Sequence, residues 1–192
     1  MTEQRDSVRT RTTLLRLGHR IARDKRVTTH LFLAARALGM EAAVYSGTRD
    51  RNIEETIMEV CKSWGGIFSL QYTDDYRKFV KEWRNQNRTV VHLTMYGIPI
   101  REQIEEVRNN HADKLIIVGG EKVPREIYDL ADWNTSVSSQ PHSEVSALSI
   151  FLHELFEGRE LEKEFVGAKQ KIVPQKRGKK VVQLKHEDSR DV

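Results

Sequence analysis

Arg20, Arg23, Lys25 and Arg26 crowd one short stretch, Gly18-His-Arg-Ile-Ala-Arg-Asp-Lys-Arg-Val-Thr-Thr-His30, directly after an apolar run. Lys25 and Arg26 fall in the first turn of a predicted helix, where cations oppose the helix dipole by about 0.3–1 kcal/mol each. Backbone amides and arginines converging on one spot would make a site for an anion, phosphate above all. The equally weighted alternative is a solvated helix face on which Asp24 offsets the charge. Three further segments are polar, carry Gly or Pro, and follow strongly apolar runs: Met95-Tyr-Gly97, Gly119-Gly-Glu-Lys-Val-Pro-Arg125 and Ser138-Ser-Gln-Pro-His-Ser-Glu144. In a parallel sheet such segments leave the carboxyl ends of strands, where ligand pockets are built.

Several chemistries are disfavoured at once. Neither GxGxxG after the first strand nor GxxxxGK[ST] anywhere occurs, so a standard dinucleotide or triphosphate loop is not expected. No HExxH is present and carboxylates do not cluster with histidines, so no metal is expected. Cys61 lies on the helical pattern Ile57-Met-Glu-Val-Cys61 and reads as packing rather than as a nucleophile. Among the histidines, His30 reads as half-buried structure and His92 as a satisfied core residue, while His142, beside a helix start, is the candidate for ligand contact. Trp64, Trp83 and Trp133 are scattered, unlike the aromatic platform of a single-strand-binding sheet.

The elements that must position these residues alternate. Predicted strands cover 13–17, 42–45, 67–70, 89–95, 114–118 and 135–137. Predicted helices cover 24–38, 52–64, 74–86, 100–109, a short helix opened by Pro124 and ending near Leu130, and 145–156 capped by Ser143. Strands separated by helices imply parallel pairing, hence an α/β fold with a mostly parallel sheet flanked by helices. Residues 1–167 form the expected domain, and residues 168–192, rich in lysine, form an expected basic tail or extended arm.

The chain has 192 residues, 38% hydrophobic and 31% charged, a balance that fits a soluble domain and argues against disorder. No apolar stretch approaches the roughly 18 residues of a membrane span. Met1–Arg11 is charged, without the apolar core of a secretory signal, and one cysteine permits no internal disulfide, so a cytoplasmic location is expected. Net charge is +4, but it divides unevenly: residues 1–36 carry +6, residues 37–167 carry −7 and residues 168–192 carry +5. Basic ends around an acidic middle suit a polyanionic partner.

Three segments, Leu17–His30, Gly119–Glu126 and Ser139–Val145, together and in order, resemble the archaeal tRNA (cytidine-56-2′-O)-methyltransferase family of the SPOUT superfamily. The similarity spans about Leu14 to Leu155. It departs from the family pattern at Ser138-Ser139, where Gly-Asn is usual, and at Gly120, where Ala is usual. The resemblance implies a C-terminal trefoil knot, although connection rules alone predict an unknotted sheet. It also implies a homodimer, tRNA as partner, and S-adenosylmethionine as cofactor with no metal. The cofactor contacts it implies are Leu93, Gly119, Gly120, Glu121, Lys122 and Val123, together with Val137, Ser138, Ser139, Gln140, Pro141, His142, Ser143 and Glu144. It implies an assisting arginine, for which Arg23 is the first choice, followed by Arg20 and Arg26; His142 is a weaker candidate as proton acceptor. The expected reaction is 2′-O-methylation of the ribose of cytidine 56 in the T-loop. The alternatives are a non-enzymatic RNA-binding protein of SPOUT-like fold and a small metabolic α/β enzyme.

Overall fold

The computed structural model describes residues 10–120 and 122–184. Strand β1 (Thr12–His19) leads into α1 (Ile21–Ala37), followed by β2 (Ala42–Gly47), α2 (Arg51–Trp64), β3 (Ser69–Tyr72) and α3 (Tyr76–Arg84). The second half runs β4 (Thr89–Pro99), α4 (Ile100–Asn109), β5 (Lys114–Val118), α5 (Arg125–Leu130), β6 (Trp133–Ser136) and α6 (Glu144–Phe156). A 3-10 turn at Arg159–Glu162 precedes β7 (Gln170–Ile172) and β8 (Val181–Gln183).

The first six strands form one parallel sheet in the order β3-β2-β1-β5-β4-β6. Alternating side chains give it two apolar faces. Leu14, Val91, Leu93, Ile116 and Val118 pack with Phe32 of α1, Ile57 of α2, Ile104 of α4 and Phe151 of α6. Leu15, Leu17, Val44, Val90, Leu115 and Ile117 pack with Val80 and Trp83 of α3 and Ile127 of α5. The near-continuous apolar runs of β1, β4 and β5 follow from this two-sided burial.

Several boundaries differ from the expected ones. β1 continues to His19 and α1 begins at Ile21, so the long first loop shrinks to Arg20. Lys25 and Arg26 therefore sit in the second turn of α1, and Arg23 occupies the first. Asp24 makes the early start possible: its Oδ2 accepts from the Arg20 backbone N at 3.2 Å and from Arg20 Nε at 3.1 Å. β3 is displaced to Ser69–Tyr72, because Gly65 (φ +71°) and Gly66 (φ +82°) turn the chain after α2. Pro124 stands before the first turn of α5 rather than in it, with ψ of 142°.

Met95-Tyr-Gly97, expected as a loop beyond β4, lies inside that strand. Leu93 and Ile98 both pair with Thr135 of β6, so Thr94–Gly97 bulges out and the strand then rejoins its neighbour. The lysine-rich C-terminal segment contains an antiparallel hairpin of β7 and β8. It is tied to the end of α2 by the Lys169 backbone N donating to the Ser63 carbonyl at 3.0 Å.

Candidate active site

The carboxyl ends of β4, β5 and β6 surround a cavity of about 290 Å³. Leu93 and the bulge residues Thr94, Met95 and Tyr96 form one wall, Gly119, Gly120 and Val123 a second, and Val137 with Pro141–Glu144 a third. Three loops distant in sequence thus meet because the parallel strands before them end on the same edge of the sheet. Of the expected cofactor contacts, Leu93, Gly119, Gly120, Val123, Val137, Pro141, His142, Ser143 and Glu144 line this cavity. Ser138, Ser139 and Gln140 lie in the same connection but outside the lining; there the Gln140 backbone N donates to Ser138 Oγ at 3.2 Å. Lys122 faces a second cavity described below. Glu121 lies outside the described residues.

Close backbone approach shapes the walls. A Cβ on Gly119 would stand 2.3 Å from Val123 Cγ2, so the turn closes tightly on its own loop. One on Gly120 would stand 3.8 Å from Arg16 Nη1 and Nη2, an ordinary contact; the alanine usual in the resembled pattern fits there without displacement. α6 starts at the cavity with Ser143 as its cap, Oγ accepting from the Val145 backbone N at 3.1 Å.

Residues that the sequence reading did not single out complete the site. Arg16 is 2% exposed; its Nη1 donates to the Leu17 carbonyl at 2.9 Å and its Nη2 lies 3.5 Å from Glu144 Oε1. Burial lowers its pKa, and the charges of Glu144 and Asp24 oppose that shift. Its signal was a charge inside the apolar run Leu14-Leu-Arg-Leu17, since arginine is almost never fully buried unless paired. Tyr128 of α5 also lines the cavity, its hydroxyl 3.1 Å from Thr94 Oγ1 and its ring edge-on to His92, with centroids 4.6 Å apart.

His92 is fully buried, as expected of a core residue, yet it also borders the cavity. Asn134 Nδ2 donates to the Tyr128 carbonyl at 2.9 Å, which turns Asn134 Oδ1 toward His92 Nδ1 at 2.8 Å. Nδ1 therefore carries the proton, and Nε2 is a buried acceptor without a protein partner among the described residues. His19 is also fully buried, Nδ1 3.0 Å from Thr28 Oγ1 and Nε2 3.6 Å from Asp50 Oδ2. His30, by contrast, is exposed on α1 rather than half-buried. His142 is exposed, its Nδ1 3.1 Å from the Ser143 carbonyl oxygen.

Burial lowers the pKa of both His19 and His92 from 6.5; the Asp50 charge and the Asn134 hydrogen bond oppose it without cancelling it. The unfolded chain binds protons near that pH which the folded chain refuses. Each neutral histidine therefore contributes stability above the unfolded pKa that is lost as the pH falls below it. A His92→Gln variant should lose less Tm than the native protein between about pH 7 and pH 5. Parallel Tm profiles would show that His92 takes up its proton as readily in the fold as in the unfolded chain.

A second cavity, of about 550 Å³, adjoins the first and shares Gly120 with it. Gly18–Arg20 at the end of β1, Ser46–Thr48 at the end of β2, Asp74 and Tyr76 at the start of α3, and Lys122 and Pro124 before α5 line it. Of the three arginines expected to assist the reaction, Arg20 lines this cavity, paired with Asp24. Burial disfavours ionisation of Asp24, but the Arg20 hydrogen bond and charge outweigh it and hold the carboxyl below its usual range. Arg23 and Arg26 are exposed on α1 and are not among the residues lining either cavity.

A family model described as tRNA ribose 2′-O-methyltransferase, aTrm56, matches residues 64–182. The chain belongs to that family. The match reaches into β8. A tRNA (cytidine(56)-2′-O)-methyltransferase of Thermococcus kodakarensis is 48% identical over 174 residues, covering 89% of this chain and 96% of the relative. One from Methanocaldococcus jannaschii is 51% identical over 174 residues, covering 90% and 96%. The fold is that of solved SpoU/TrmH proteins. The A. aeolicus TrmH/SpoU tRNA modifying enzyme aligns with a TM-score of 0.59 at 18% identity, covering 81% of this chain and 80% of that one. The SpoU methyltransferase AviRb from Streptomyces viridochromogenes, solved with the cofactor AdoMet, aligns at 0.54 and 13% identity, covering 83% and 63%. Among the described residues there is no cluster suited to a metal ion, and no helix is long and apolar enough to cross a membrane.

For a methyltransferase of this family, the first cavity has the right donor set for S-adenosylmethionine. Leu93, Val118, Val123, Val137 and Ala147 offer apolar surface for an adenine ring. His92 Nε2 is a buried acceptor in want of a donor, and Glu144 is the one carboxylate among the described lining residues, a counter-charge for a sulfonium.

Proposed function

We propose that this protein transfers a methyl group from S-adenosylmethionine to the ribose 2′-oxygen of cytidine 56 in the T-loop of tRNA. The observation that carries the reading is the meeting of the three sequence-distant loops at one cavity, with a second, cation-bearing cavity joined to it at Gly120. The names of the relatives and their near-complete overlap with this chain support the position and the nucleotide.

S-adenosylmethionine, when bound, supplies an electrophilic methyl group, and it would be held by Leu93, Gly119, Gly120, Val123, Val137 and Pro141–Glu144. The chain's own task is to bring a poorly acidic hydroxyl into line with that methyl and to stabilise the charge developing on oxygen. Arg20, which lines the second cavity, is the arginine we assign to it. A guanidinium is a poor base, with a pKa above about 12, so its role is to fix the neighbouring phosphate and favour the alkoxide rather than to remove the proton. Arg23 and Arg26 extend the basic surface of α1 toward the phosphate backbone. A partner copy of the chain, as in the homodimer the resemblance implies, would cover Tyr96, 80% exposed on the cavity rim, and Ile150, 47% exposed on α6.

Incubating the protein with labelled S-adenosylmethionine and an archaeal tRNA transcript tests the reading. Label should enter the unmodified transcript and fail to enter one already carrying a 2′-O-methyl group at position 56. No label in the first, or equal label in both, would overturn it.

A further inference from the structure

The cavity beside the cofactor site carries chemistry that the transfer reaction alone does not use. Resting on the methyltransferase reading, we infer that it receives the target nucleotide, with Asp74 reading the amino group of cytosine. Three observations converge. First, the two cavities share Gly120, so a nucleotide seated in the second has its ribose beside the first.

Second, Asp74 and Lys122 both line it, and neither has an ion pair or side-chain hydrogen bond among the described residues. Several of its other polar groups are committed: Arg20 to Asp24, His19 to Thr28, Ser46 Oγ to the Gly18 backbone N, and the Tyr76 hydroxyl to Glu126 Oε1 at 2.6 Å. An unpaired carboxylate and an unpaired ammonium on one cavity suit a ligand that presents both a donor and an anion.

Third, a cytidine nucleotide presents both. Its exocyclic N4 donates, and a carboxylate is the acceptor suited to it; uracil offers the O4 acceptor at the same place and would be repelled. Glu126, held also by Arg77 Nε at 2.5 Å, pins the Tyr76 hydroxyl and so fixes a ring that carries the Arg77 guanidinium over one face, 5.0 Å from its centroid, and could take a base on the other. Lys122 and Arg20 lie where a phosphate would need cations. A base seated between Asp74 and the Tyr76 ring has left its stack, as bases do when enzymes act on them.

The test uses the full-length protein, S-adenosylmethionine and two tRNA transcripts that differ only in C or U at the target position. The native protein should strongly prefer C. Asp74→Asn exchanges one acceptor oxygen for a donor, so its kcat/KM ratio for C over U should fall by about tenfold or more. The U transcript should gain absolute rate, with Tm and the cofactor Kd unchanged. Lys122→Ala should weaken both transcripts equally and flatten the salt dependence of tRNA binding by about one unit of slope. A native C:U ratio in Asp74→Asn, or an equal loss on both transcripts, overturns the assignment. Native protein that methylates neither transcript overturns the underlying reading instead, and this assignment with it.

Discussion

Gly97→Ala should lower stability by about 3 kcal/mol, a drop in Tm of roughly 6–12 °C, and should weaken S-adenosylmethionine binding in parallel. A Cβ at this position would stand 2.4 Å from the Asn134 carbonyl oxygen, 2.6 Å from its carbon and 2.7 Å from the Thr135 nitrogen. These are backbone atoms of β6 and cannot swing aside as a side-chain tip can. Gly97 closes the bulge that returns β4 to β6, so relieving the clash moves Met95 and Tyr96, which line the first cavity. Gly120→Ala is the internal control. Its Cβ would make only an ordinary contact with Arg16, and its Tm should stay within about 2 °C of native. Thermal denaturation with and without cofactor checks both, and a native Tm for Gly97→Ala would show that the strands can separate at little cost.

Removing the carboxylate of Glu144 should have an effect of similar size by a different route. Arg16 is sealed at 2% exposure, and Glu144 is its nearest counter-charge, itself 27% exposed. Truncating Glu144 leaves a buried guanidinium uncompensated, a change that typically costs 3–5 kcal/mol. Asp24 still favours the charged form, so about 3 kcal/mol is expected for Glu144→Ala. Because Glu144 lines the cavity, its loss should also weaken the cofactor. The double variant Arg16→Met with Glu144→Ala should regain much of the stability without regaining the cofactor. Chemical denaturation and calorimetry on the two variants distinguish the effects; equal stability of the single and double variants would show that the pair carries no net charge penalty.

The legible part of the site was the part written in local chemistry. Gly119-Gly120 and Pro124 mark a turn before a helix, and Pro141 and Ser143 mark another, so the two loops could be placed with only neighbouring residues in view. The first loop was misplaced for an equally local reason. Gly18 reads as the end of β1, but its φ of +66° lets the chain continue one more residue, and Asp24 then draws the start of α1 back to Ile21. That correction moves Arg20 to the cavity and leaves Arg23 on the helix surface. The bulge of β4 was invisible because its cause lies in another strand: Leu93 and Ile98 meet the same residue, Thr135, some forty residues away.

Periodicity and the alternation of apolar runs with helices determined the α/β class, the two-sided burial of the central strands and the existence of loops able to bind a ligand. These depend on contacts that each residue makes with its own element. Strand order did not follow from them. β5 lies between β1 and β4, a neighbourhood set by which helices can cover which face of the sheet. That order brings Arg16 of β1 against Glu144 of α6, and His92 of β4 against Tyr128 of α5. It also brings Asp74 and Lys122 to the lining of one cavity. Burial of a charge or an unpaired ring nitrogen is a property of the packed whole, so only the tertiary structure could identify the groups that shape the site.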